Sequence, residues 1–106
     1  MSGPAGAANP ARGEASFSVF GHPVTLRPTF HALVKVEEEI GSLFEMVERA
    51  AGGKLRLVEI ATLFWHCLSD APAMTRDELS EAIVKQGLSA LTPVLTQLVG
   101  QILKGL

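Results

Sequence analysis

Apolar and polar positions alternate with a period of two near the start of the chain and with a period of about 3.6 further on, and the switch falls at Pro28. Phe17 and Val19 alternate with Ser16 and Ser18, Gly21-His22 supplies a turn, and Val24 and Leu26 alternate with Thr25 and Arg27. This pattern predicts a β-hairpin over 14–27, with Pro23 and Pro28 at strand ends, where a missing N–H does least harm to the ladder. A hairpin alone is marginal in water, so its apolar side chains need a helix to pack against.

After Pro28, Phe30, Leu33, Val34 and Ile40 share one face of a helix running from about Thr29 to Ile40, and Glu37, Glu38 and Glu39 fall off that face as a solvated acidic surface. Gly41 ends it, and Ser42-Leu43-Phe44-Glu45 reads as a capping box opening a second helix that stops at Gly52-Gly53. The third, about Leu57 to Ser69, is apolar nearly all round, which marks it as the central helix, with Glu59 and His66 on its least buried sides. Asp70-Ala71-Pro72 ends it. Thr75-Arg76-Asp77-Glu78 is a second capping box, for a fourth helix with Leu79, Ala82 and Ile83 inward and Gly87 as its stop. The expected fold is mainly α (α+β): an N-terminal β-hairpin followed by about five short helices packed as one small domain over 14–106, the helical part being 29–106.

In the last helix Leu88, Leu91, Leu95, Leu98 and Ile102 recur at alternating steps of three and four, the spacing of a coiled-coil seam. About two heptads are too few for a free-standing coiled coil, so the plain reading is an amphipathic helix packed on its own domain. The alternative is a docking or self-association face, with Leu91, Leu95, Leu98 and Ile102 as the contacting residues. Trp65 joins them as a candidate anchor, since Trp is enriched at binding hot spots, although in so apolar a helix a Trp is more often simply core.

Composition narrows the function more by exclusion than by pointing. A chain of 106 residues with 47% hydrophobic content supports one real core. Formal net charge is −2, and only Lys85 and Lys104 are basic after Arg76, which leaves little to hold a phosphate backbone in a helix-turn-helix arrangement. Neither a secretory signal nor a membrane span is expected, and residues 1–13, rich in Gly, Ala and Pro, read as a disordered arm. The single Cys67 suits a reducing cytoplasm. Gly52-Gly53-Lys54 lacks the other residues of a phosphate-binding loop: Glu48 stands where the first Gly belongs and Leu55 where Ser or Thr belongs. His66 and Cys67 are neighbours about 100° apart around a helix and cannot act jointly as nucleophile and base. His22, His31 and His66 have no metal-ligand spacing. No enzyme activity, cofactor or metal is expected.

The order of features carries a resemblance. Leu26-Arg27-Pro28-Thr29-Phe30, then Ala32-Leu33, then Glu37 to Glu39 closing with Ile40-Gly41-Ser42-Leu43, then Leu57 through Trp65 and Glu81 through Leu88 resemble the small tail proteins of gene transfer agents and tailed phages over nearly all of the chain after Gly13. The resemblance implies a tail-assembly chaperone that binds the tape-measure protein in the bacterial cytoplasm while the tail is built. It also implies, in conflict, a tail tube component retained in the particle. Partners would be the tape-measure protein, tube subunits or a second copy of the chain, with no nucleic acid or membrane.

Overall fold

The computed structural model describes residues 15–69 and 73–104, so the arm expected over 1–13 and the Asp70-Ala71-Pro72 helix stop lie outside the described residues. Strands β1 (Ala15–Val19) and β2 (His22–Leu26) form an antiparallel hairpin, followed by helices α1 (Phe30–Ile40), α2 (Leu43–Ala51), α3 (Leu57–Cys67), α4 (Arg76–Gln86) and α5 (Leu88–Lys104). The expected architecture of a hairpin and five helices is the observed one.

The hairpin register pairs Phe17 with Val24 and Val19 with His22. The turn is therefore Phe20-Gly21, one residue earlier than the sequence implied, because His22 belongs to the ladder. Both turn residues have positive φ, 49° and 82°, the signature of a two-residue turn whose twist matches that of the strands. Gly21 adopts this freely, but an aromatic at positive φ is strained. Phe20→Gly should therefore raise stability by about 0.5 to 1 kcal/mol, read as a higher urea midpoint at unchanged slope.

Alternation on β1 is clean, with Ala15, Phe17 and Val19 buried and Ser16 and Ser18 exposed. On β2, Thr25 is buried together with Val24 and Leu26, against the expected alternation, because the chain beyond α3 folds back along this strand. Leu68 bridges Leu26, Ser69 N–H donates to Thr25 O at 3.0 Å, and Arg27 N–H donates to Cys67 O at 2.7 Å. The inner face of the hairpin meets α3 through an edge-to-face pair, Phe17 and Phe64, at 5.1 Å between ring centroids.

Three helix faces differ from expectation. In α1 the buried residues are Ala32 and Val36, with Leu33 and Ile40 packed at the margin, whereas Phe30 lies exposed in the first turn. Thr29 caps this helix, accepting from Ala32 N–H at 3.1 Å. In α2, Ser42 Oγ accepts from Glu45 N–H at 3.3 Å, and a second N-terminal donor, Leu43 N–H, is taken by Glu37 Oε2 of α1 at 2.9 Å instead of by a Ser42–Glu45 box. Glu37 thus joins α1 to α2 rather than merely facing water. In α3, Leu57 and Val58 are exposed while Glu59 is 0% exposed, the reverse of the sequence reading. The Thr75 and Glu78 box opening α4 is complete in both directions, at 3.1 and 2.7 Å, and Leu79, Ala82 and Ile83 are buried as expected.

Helix α5 is 17 residues long, about 25 Å at 1.5 Å per residue. It packs on α4 and β1 and buries Leu91 and Leu98. Pro93 lies inside it and removes one intrahelical hydrogen bond, yet the helix continues to Lys104. Gly87, at φ +84°, makes the reversal from α4. Among the described residues no helix is long and apolar enough to cross a membrane.

Candidate docking cleft

One wall of the candidate site is the corner between α2 and α3, and a buried charge fixes that corner. Glu59 occupies the third position of α3, and its Oε1 accepts from Arg56 N–H at 3.0 Å, satisfying a backbone donor that the helix start leaves open. From α2, the Arg49 guanidinium reaches the same carboxylate, Nε donating to Oε2 at 3.1 Å with a second, closer bond from the terminal nitrogen. Arg56 Nε adds a third approach at 3.4 Å. Hydrogen bonding from Arg49 holds the Glu59 carboxyl below its usual pKa, against the opposing effect of burial. The carboxylate is ionised and multiply bonded, which is the condition under which burial of a charge is tolerated.

Opposite this corner runs α5, and between them lies an open cleft of about 550 Å³. Ala50, Ala51 and Gly53 form one side, with Leu55 and Ile60 at the base. The α5 side is a continuous stripe, Leu88, Leu91, Thr92, Leu95, Thr96, Val99, Gly100 and Leu103, running along nearly the whole helix. A second hollow of about 290 Å³, lined by Leu33, Leu43, Phe44, Val47, Ile102 and Leu103, continues the surface past the α5 C-terminal turn. Neither lining contains a charged residue. Phe44 and Leu103 stand on its rim with 83% and 65% of their surface exposed.

The residues expected to bind a partner divide between this cleft and the core. Leu91 and Leu98 are 1% and 0% exposed; Leu98 is packed in the core and lines neither hollow, while Leu91, equally buried, also lines the cleft. Leu95 and Ile102 sit half-buried at the boundary and line the first and second hollows respectively. Trp65 is half-buried against the core and lines neither hollow. Leu103, with Val99, widens the apolar surface of α5 as its sequence suggests, whereas Phe44 and the small residues Ala50, Ala51, Gly53 and Gly100 carry no such signal. Val99 and Leu103 extend the Leu88 and Leu95 edge of the heptad seam into an apolar stripe along the helix.

Reactive groups lie elsewhere. Cys67 is buried, and that burial pushes its thiol pKa up to about 12, so the sulfur is neither nucleophile nor ligand in the folded chain. Among the described residues, no three His, Cys, Asp or Glu side chains are placed to hold a metal ion.

A family profile described as phage tail tube protein, GTA-gp10, matches residues 12–105. No curated protein and no solved structure matches the chain. With nearly its whole length matched, and with a hairpin-and-helix domain carrying an uncharged cleft, the chain belongs to the GTA-gp10 family of phage tail proteins.

Proposed function

We propose that this protein is a non-catalytic tail-assembly chaperone, acting in the bacterial cytoplasm, that receives an amphipathic helix of the tape-measure protein in the cleft between α5 and the α2–α3 corner. The observation that carries this reading is the uncharged lining, which runs along about four turns of α5 from Leu88 to Leu103. A partner helix laid there would place apolar side chains at every third or fourth position against Leu95, Val99 and Leu103. The methyl groups of Ala50 and Ala51 and the bare Cα of Gly53 leave room for large side chains opposite. Masking an apolar stripe until tube subunits polymerise around it is the task such a groove suits.

The wording of the family description favours a second reading, a structural component kept in the finished tail. Against it stands the two-stranded sheet, which offers little from which to build a tube wall. Capture of the tagged protein from cells assembling particles, paired with a blot of purified particles from the same culture, separates the two. The chaperone reading requires co-purification of the tape-measure protein and absence from the particle. Stoichiometric presence in the particle without a soluble complex would establish the structural reading instead.

A further inference from the structure

Three helices meet at one exposed carboxylate on the side of α3 away from the cleft. Arg76, the first residue of α4, donates from both terminal nitrogens to Glu39 near the end of α1, at 2.9 and 2.7 Å. The same guanidinium donates to Thr62 Oγ1 on α3 at 2.9 Å, and Thr62 in turn donates to Val58 O at 2.7 Å. His66 Nε2, one turn further along α3, hydrogen-bonds Glu39 Oε2. The fork geometry is specific to arginine, since lysine presents a point charge and cannot span two carboxylate oxygens and a hydroxyl.

The placement matters because of what each helix belongs to. Helix α1 packs on α2 and α3, α4 packs on α3, on β1 and on α5, and α5 is held by α4 and β1. The cleft is the gap between the α2–α3 corner and α5. Ile60 faces the cleft, and Thr62 and His66 lie roughly 120° or more around the same helix. A tie at Arg76 therefore acts on the opposite side of α3 from the gap. Because α4 leads into α5 at Gly87, a tie that holds the start of α4 to α1 and α3 bears on where α5 stands relative to the α2–α3 corner.

We propose that Glu39, Arg76, Thr62 and His66 form a clasp that positions α5 and so fixes the width of the docking cleft. Its relevance to partner binding rests on the chaperone reading, but the positioning itself does not. Hydrogen bonding from Arg76, then from His66, lowers the Glu39 pKa to about 2, so the carboxylate is ionised throughout the neutral range.

Electron-spin distance measurement on the full chain tests this without any partner. Labels at Ala51→Cys and Thr96→Cys face each other across the cleft, and the buried Cys67 is spared. In Arg76→Ala the distance distribution should shift or broaden by several Å, and partner affinity should fall roughly five-fold or more, a coupling typical of distant sites. A tie that only adds stability would lower the melting temperature and leave the distribution unchanged. An unchanged distribution in folded Arg76→Ala overturns the clasp. Should that variant fail to fold, Glu39→Gln, which keeps the shape and loses the charge, gives the same test, and an unchanged distribution there is equally fatal. Failure of the wild-type protein to capture tape-measure protein would remove the docking reading and leave the distance result standing.

Discussion

Replacing Arg49 by alanine should destabilise the domain more than replacing both members of the Arg49–Glu59 pair by apolar residues. The reason is an asymmetry in what is left behind. Glu59 is wholly buried, and Arg49 is its main partner. A buried carboxylate at position 59 deprived of that partner costs about 3 kcal/mol, the range found when one member of a buried pair is removed. Arg56 cannot compensate, because its side chain is 70% exposed and touches the carboxylate from the solvent side. The double replacement Arg49→Met with Glu59→Leu removes the charge along with its partner and should unfold close to the wild-type urea midpoint. Acid acts on the same contact. Since the folded pKa of Glu59 lies below its ordinary 4.5, the pair contributes fully above about pH 4.5. That contribution is lost progressively as pH falls towards the folded value. The Arg49→Ala variant should lack most of this acid dependence; equal stability of the single and double variants at neutral pH would refute the account.

The same residue shows where sequence reading reaches its limit. Binary pattern placed the hairpin, the five helices and most of their ends, because turn glycines, caps and periodicity are local and the fold obeys them. Glu59 was placed outward because carboxylates are hydrated, a sound default that tertiary structure overrode. Its spacing of three from Arg56 hinted at a helix-start bond, but the ion pair to Arg49 exists only once the α2–α3 corner has closed. Glu39 failed in the same way: three consecutive glutamates read as one solvated face, yet Glu37 caps the next helix and Glu39 ties α1 to α4 and α3. The α5 seam was legible as spacing but not as direction. Leu91 and Leu98, seven apart, are fully buried, Leu91 at the edge of the cleft, while Leu88, Leu95, Val99 and Leu103 follow a stripe rotated by roughly 85°. A helix whose only charge is Lys104 gives no charged face by which to decide between the two.

That rotation yields the sharpest functional expectation. Leu98→Asp should leave little folded protein, since an unpaired carboxylate in a fully buried site exceeds what a domain with about 5 to 15 kcal/mol of total stability tolerates. Leu103→Asp should fold, because that side chain is mostly exposed already and the main cost is an acidic group in the last helical turn, about 0.5 kcal/mol. Circular dichroism and the urea midpoint would therefore separate two leucines on one helix that the sequence cannot tell apart. If the cleft receives a partner helix, the folded Leu103→Asp variant should lose tape-measure capture by about 30-fold or more, because a charge would be buried at the junction of both hollows. Full capture by this variant would move the docking surface away from α5. Capture lost only when Leu98 is changed, together with the fold, would show that α5 serves as core alone. The exposed Phe44 provides the internal control: it lines the second hollow from α2, so Phe44→Ser should weaken capture without affecting α5 at all.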